Sequence, residues 1–422
     1  MGTIAQANAS VLLYASETTW GTAPTSTYST ARIVSSQLAQ RTGTVASQEL
    51  NTRREPFAQI RTQVSAEGSI DFEWSALSFS TFLESLFGNT WSTDISATAT
   101  GTAIDVVTVS GGTCGWVGAG NEFLGVRVGD WVRSDGFVNS ANNGSFYVSA
   151  KTGAADITVV NPNAVAETTA TAVEVSGRRL AVGTTLTSMA LQQTVPTTEV
   201  LYELASGVVM TGMTLDMTPG EVVRGSFSWI GKNVVQSTVS ITTISANSVL
   251  TTQIANAVDN IIAIRENGNG SGETWKVSRF SLSLSSPADP RFALSDAAGI
   301  QPGAISVALR PFSATATLRI YVEHGAAETG GVKDILDAYL SNESRDGLAI
   351  IVADTQDTSS YHTIFQFQQY KITNASIPIG GNDQDLFLDL EIAAEQKSGT
   401  GATHSGASSG PWAFSMHRTR LF

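Results

Sequence analysis

Along most of the chain, apolar and polar positions alternate one by one in short runs bounded by Gly, Asn, Asp and Pro, the pattern of half-buried β-strands. In Gly68 to Trp74, the residues Ile70, Phe72 and Trp74 take one face while Ser69, Asp71 and Glu73 take the other, which predicts a core side and a wet side. Two segments depart from this period. Phe79, Phe82, Leu83, Leu86 and Phe87 fall on one helical face ahead of Gly88, and Val332, Ile335, Leu336, Tyr339 and Leu340 repeat the same intervals ahead of Asn342. Each predicts a short amphipathic helix lying on a sheet.

The order of elements recurs around these helices. Gly68–Trp74 precedes the first and Ala316–Glu323, with the same alternation, precedes the second. After the first come a hairpin-like stretch, Thr211 to Met217, a turn at Pro219-Gly220, and Val223, Gly225, Phe227 and Trp229 alternating inward. After the second come Thr373 to Ile379, a turn at Gly380-Gly381, and Leu386, Leu388, Leu390 and Ile392. The prediction is a mainly β chain with two tandem β-sandwich units, each flanked by one α-helix, and a small inserted β domain. The first unit takes residues 1–94 and 181–245, the insert 95–180, and the second unit 246–396.

The insert carries strand and turn signals of its own, such as Val126 to Val132 and the hairpin pair Asn143-Gly144. With no counterpart between Leu340 and Gly347, it is expected to project outward as a decoration that the shared geometry does not need. Residues 397–422 begin with a Gly/Ser/Ala/Thr-rich stretch and contain Trp412, Phe414 and Phe422, which predicts a flexible arm docking its aromatic residues on a neighbouring subunit.

Composition narrows the choice of function. Over 422 residues only 14% are charged, a surface suited to burial against other copies, and the net charge of −13 argues against a basic nucleic-acid reader while suiting a conduit that repels a polyanion. The single cysteine, Cys114, cannot form an intrachain disulfide and reads as a small buried hydrophobe. The first residues lack a basic stretch followed by an apolar one, and no run approaches the roughly 18 apolar residues of a membrane helix, so synthesis and folding in the cytoplasm, with no membrane partner, are expected.

Catalytic chemistry is thin. His324, His362, His404 and His417 are scattered, the first at a strand end, the second in a loop and the last two in the tail, and no metal-ligand spacing appears. The glycine run Asn267 to Glu273 lacks the Gly-Lys-Ser/Thr ending of a phosphate loop. Asp71 and Glu73 could be imagined as a glycosidase pair but read better as a solvated strand face. No enzyme, metal or cofactor is expected. The alternatives are a carbohydrate-binding or adhesive β-sandwich protein presenting Trp116, Trp131 and Phe137 of the insert, and a secreted β-rich hydrolase, which the lack of a signal peptide disfavours.

The string Tyr14-Ala15-Ser16-Glu17-Thr18-Thr19-Trp20-Gly21-Thr22-Ala23-Pro24, with Gln48-Glu49-Leu50-Asn51-Thr52-Arg53-Arg54 further on, resembles the tail tube (major tail) proteins of long-tailed, siphovirus-type phages. The likeness covers Ser10 to Trp91 and Leu180 to Glu395 but not the insert. It implies two packed sheets flanked by a helix, joined side by side into a ring whose inner wall is a continuous barrel of six tube domains. With two such units per chain, a trimer with pseudo-sixfold symmetry makes the ring, and stacked rings make a hollow tube for genome delivery within the virion tail. Under this resemblance Glu67, Ser69, Asp71, Glu73, Arg319, Tyr321 and Glu323 are expected to line the lumen. The segments Gln40–Ile60 and Ser286–Ala304 are expected to be extended loops, with Glu49, Arg53, Arg54, Glu55, Phe57 and Arg291 making contacts between subunits. The implied partners are the chain itself, the tape measure, tail terminator and distal tail proteins, and double-stranded DNA in transit without specific binding.

Overall fold

The computed structural model describes residues 10–25, 27–47, 58–92, 104–168, 173–196, 200–240, 252–266, 273–294, 303–322, 332–353, 361–379, 385–396 and 413–419. The first segment forms β1 (Val11–Ser16), β2 (Ser29–Thr30), β3 (Ser35–Ala46), β4 (Gln59–Glu73) and helix α1 (Ser80–Phe87). The stretch expected as an insert holds β5 (Ile104–Ser110), β6 (Thr113–Gly118), β7 (Trp131–Asp135), β8 (Gly144–Lys151), β9 (Asp156–Val160) and β10 (Glu174–Ser176). The chain then returns through β11 (Arg178–Ala181), β12 (Met189–Val195), β13 (Leu201–Met217), β14 (Arg224–Gly231) and β15 (Asn233–Ser237). A further run gives β16 (Ile261–Glu266), β17 (Glu273–Thr274), β18 (Val277–Ser285), β19 (Ala288–Arg291), β20 (Ser306–Leu309), β21 (Ser313–Tyr321) and helix α2 (Val332–Ser341). The last strands are β22 (Ser344–Ala353), β23 (His362–Ser376), β24 (Phe387–Glu395) and β25 (Phe414–Thr419).

Pairing makes the repetition visible. One continuous layer runs β3-β4-β14-β13-β18-β21-β24-β23, so its first four strands and its last four follow the same order of counterparts. Behind each half lies a flanking layer: β2-β1-β12-β13-β15 in the first, and β17-β16-β22-β23-β25-β11 in the second. The strands β13 and β23 serve both layers. Each slips register where it passes from one layer to the other, between Met210 and Gly212 and between Ile372 and Asn374, and such a bulge bends a strand around a corner. Thr211 to Met217 is therefore the far half of one long strand, not a hairpin, because the bulge lets it leave one sheet and pair in the other.

The core between the layers collects Ile70, Phe72, Trp74, Phe227, Trp229, Leu318 and Ile320, all buried as their alternation required. Burial of each large side chain contributes roughly 1.5–3 kcal/mol. Both helices lie on the strands that turn the corner, α1 on β13 and α2 on β23. Gly88 and Asn342 end them with left-handed backbone, φ 60° and 57°. Gly68 lies under Trp229, whose ring would be 2.7 Å from any Cβ added there, so the large indole fits only because its cross-strand partner is glycine.

The expected loop Gln40–Ile60 is paired strand at both ends, Val45 standing opposite Ile60, so β3 and β4 form a hairpin arm longer than the matched β18 and β21. The expected loop Ser286–Ala304 contains β19, which with β20 makes a small separate hairpin.

Strands β5–β10 form their own sheet, in the order β10-β7-β8-β9-β6-β5, around their own cluster of Trp116, Phe123, Val132, Phe137 and Val159. Its docking differs from a free decoration. Trp131 is fully buried against Ala263, Ala349, Ile351 and Ile364 of the second flanking layer, and its indole N–H donates to Gln366 at 2.8 Å. Gln368 donates to the Gly129 carbonyl at 2.9 Å, and Ser145 hydrogen-bonds to Nδ1 of His362 at 2.8 Å. Trp116, Trp131 and Phe137 are thus core residues and cannot form an exposed glycan platform. Strand β11, at the end of the expected insert, instead completes the second flanking layer beside β25.

Candidate assembly surfaces and lumen face

On β4 the side chains of Glu67, Ser69, Asp71 and Glu73 stand opposite those of Ile70 and Phe72, which point into the core. On β21, Arg319 and Tyr321 stand opposite Leu318 and Ile320. Because both strands belong to one layer, residues chosen from separate halves of the sequence share one wall. Register carries short polar side chains across it: Ser35, Asp71, Ser226, Thr214, Ser283 and Thr315 are consecutive cross-strand neighbours. The next row is Glu73, Arg224, Asp216, Ser281, Thr317 and Glu391. Glu323 lies outside the described residues.

Charge on this wall is largely matched internally. Arg41 lies 3.1 Å from Glu67, Arg224 lies 4.0 Å from Glu73, and Arg319 donates twice to Asp389, at 2.7 and 3.0 Å. The hydrogen bond from Arg319 holds the Asp389 carboxyl below its usual range. Exposed pairs of this kind add little stability, but a guanidinium engaged with a carboxylate has less charge to offer a phosphate. With Glu67, Asp71, Glu73, Asp216, Asp389 and Glu391 set against Arg41, Arg224, Arg279 and Arg319, the wall is hydrated and mildly acidic.

The layer ends in two open edges. Among the described residues β3 pairs with β4 alone, and Asn374 to Ser376 of β23 pair with β24 alone. Midway, the matched edges are joined: Gly212 to Met217 of β13 pair with Ser285 to Phe280 of β18.

Of the residues expected between subunits, Glu49, Arg53, Arg54, Glu55 and Phe57 lie outside the described residues, as do Trp412 and Phe422. Arg291 ends β19 opposite Ser306. Phe414 is no arm residue seeking a neighbour: it opens β25, fully buried, with its ring 4.9 Å from Phe367 and 6.1 Å from Phe87. Strand β25 pairs with β23 and β11 of the same chain, so this part of the expected arm belongs to the fold.

Nor are the described histidines loose. His362 opens β23 and His417 sits inside β25, and both are pushed down to about 3 by burial, assisted by the cations of Arg133 and Arg179 respectively. Beside His417, Arg179 reaches both carboxylate oxygens of the fully buried Asp130 at 2.7 Å. Asp130 also lies 3.9 Å from Nδ1 of His417, but its charge is already taken by Arg179, so the imidazole stays neutral. This tie between insert and flanking layer carried no spacing signal in the sequence. His324 and His404 are outside the described residues. Among the described residues no cluster of His, Cys, Asp and Glu could hold a metal ion, and no helix is long and apolar enough to cross a membrane.

The opening string acquires a structural meaning. Glu17 accepts the N–H of Gly207 and that of Gly21, and the Ser188 hydroxyl, each at 2.8 Å, tying β1 to the bend of β13. Gly207 has φ 64° and lies under Trp20, which lies beside Lys232. Within the opening string, Glu17, Trp20 and Gly21 thus act as a structural clasp, while Gln48 to Arg54 lie outside the described residues.

A search of curated proteins found no match to the chain. The family described as phage tail tube protein matches it over residues 7–394, which spans both halves of the continuous layer, the insert and both helices. The chain belongs to the phage tail tube protein family, structural components of the virion tail and not enzymes.

Proposed function

We propose that three copies of this chain close into a ring with pseudo-sixfold symmetry, and that stacked rings form a hollow tube through which double-stranded DNA is delivered. The observation that carries this reading is the joint between β13 and β18, which sets two four-strand sheets of the same order edge to edge within one chain. Repeating that step between chains removes both open edges, which would otherwise be liable to indiscriminate pairing. The wall of Glu67, Ser69, Asp71, Glu73, Arg319 and Tyr321 then faces the lumen. Its matched and net acidic charge keeps a polyanion from sticking.

The tandem units, the insert from 95 to 180, and contacts from the Glu49–Phe57 segment to an adjoining ring are part of the same reading. So are end contacts with tape measure, tail terminator and distal tail proteins, and synthesis in the host cytoplasm before incorporation into the tail. The carbohydrate-binding alternative loses its support with the burial of Trp116, Trp131 and Phe137.

Electron microscopy of the purified, assembled chain tests the reading through a symmetry mismatch. Each chain has two lumen units but one insert, so end-on views should show a sixfold inner wall inside a threefold outer contour. Monomers at every concentration, or an outer contour with six equal projections, would overturn it.

A further inference from the structure

The joint inside the chain specifies the joint between chains, residue by residue. The register shifts in β13 and β23 align Gly212 with Asn374, Met213 with Ala375 and Leu215 with Ile377. Following the cross-strand pairs from Ile70 and Leu318 aligns Ser36 with Phe280, Leu38 with Leu282 and Ala39 with Ser283. Within the chain, Met217 to Gly212 pair in order with Phe280 to Ser285. We infer that Asn374–Ile379 of one chain pair antiparallel with Ser36–Arg41 of a second copy, with Ser376 opposite Ala39 and Ile377 opposite Leu38.

This rests on the ring reading above, and two observations independent of the alignment support it. Leu215 and Leu282 are cross-strand partners and fully buried, whereas their counterparts Ile377 and Leu38 are apolar yet only half-buried, as expected of a pair awaiting its partner. The helices differ in the same sense. In α1 the last apolar residue, Phe87, is fully buried, with the ring of Phe312, just ahead of β21, 5.3 Å away. Its counterpart in α2, Leu340, is 79% exposed. In the ring, β4 of the next copy, at the level of Val64, takes the place that Phe312 holds over α1. Pro378 in the open strand removes one backbone donor, a device that keeps an edge from pairing promiscuously before the right neighbour arrives.

The test is disulfide trapping in assembled protein. Directly opposed residues on neighbouring strands have Cα atoms about 4.5–5.5 Å apart, within disulfide range, and diagonal ones do not. Ala39→Cys with Ser376→Cys should yield a covalent trimer on oxidation, roughly tenfold more than Gln37→Cys with Ser376→Cys, which lies on the diagonal. Cys114 is fully buried in the insert core and does not compete. Preferential trapping of the diagonal pair, or of neither pair in rings visible by microscopy, would overturn the register and leave the ring standing. Absence of rings from the unsubstituted chain would overturn the ring itself. Hydrogen exchange on the unsubstituted chain gives a second readout. Within Ala375–Ile377 and Gln37–Arg41, the amides not already bonded to β24 or β4 should gain protection on passing from monomer to ring, and unchanged exchange there would also overturn the pairing.

Discussion

Trp131 of the inserted sheet and Gln366 of β23 are joined by a buried hydrogen bond of 2.8 Å, although they lie 235 positions apart in the chain. Around this bond the apolar seam of Ala263, Ala349, Ile351 and Ile364 closes. Trp131→Ala should therefore cost about 3–5 kcal/mol in chemical denaturation, by opening a cavity and orphaning the amide. Trp131→Phe should cost less, since it keeps most of the apolar contact.

The clasp at the start of the chain makes a second prediction. Glu17→Ala leaves the N–H groups of Gly207 and Gly21 and the Ser188 hydroxyl without their acceptor, and should lower stability by roughly 2–3 kcal/mol. Glu17→Gln, which retains an oxygen acceptor, should fall between the two in urea titrations.

Acid should loosen the seam. An imidazole in the unfolded chain titrates near 6.5, while His362 and His417 are held down to about 3 in the folded one. Between these limits only the unfolded chain takes up the protons. Stability contributed by keeping them neutral is thus whole above about pH 6.5 and is lost towards about pH 3, at about 1.4 kcal/mol per pH unit for each histidine. His417→Gln, which cannot protonate, should roughly halve this component of the slope of unfolding free energy against pH.

Gly68→Ala should be among the costlier conservative changes in the first unit. The added Cβ would lie 1.9 Å from the Gln37 carbonyl oxygen as well as against the Trp229 ring, so strand or ring must move, at roughly 1–3 kcal/mol. The matched position in the second unit is Ala316, buried without a tryptophan opposite it, where Ala316→Gly should cost about 1 kcal/mol or less. Thermal unfolding of the pair checks this.

Excising the insert is conditional on what it leaves behind. A deletion from Ile95 to Leu180 also removes most of β11 and unpairs one edge of β25. Replacing Ile104–Ser176 with a Gly/Ser linker spares β11 and opens Arg179 to water, so its cost is set by the apolar seam of Ala263, Ala349, Ile351 and Ile364 left uncovered. Adding Ile351→Thr and Ile364→Thr, which make that uncovered face more polar, should keep the excised chain soluble, and microscopy would then show tubes with a smooth outer contour.

Alternation exposed the two faces of Gly68–Trp74 and Ala316–Tyr321 because each strand has core on one side and water on the other. It failed where both sides are covered. Phe414 to Thr419 are buried without exception, because β25 lies within the flanking layer with the core on one face and the insert on the other, so it reads as an unpatterned tail. In β13, Leu204 to Met210 are all buried, and a run without period two hides the corner at which the strand changes sheets. Arg179 and Asp130 escaped notice because each alone has the look of a surface charge, and only the fold brings them together. The lumen candidates on β4 and β21 were readable from side-chain parity, whereas Asp216, Ser281 and Ser283 required knowledge that β13 meets β18.

That meeting alters the arithmetic of assembly. In a ring of three chains, half of the joints are closed by a covalent tether, at an effective concentration set by the tether and not by the abundance of the protein. Closure then depends on the third power of subunit concentration, where single-unit chains would face the sixth. In such a ring, carrying two units per chain would lower the concentration at which rings begin to form without strengthening any contact within them.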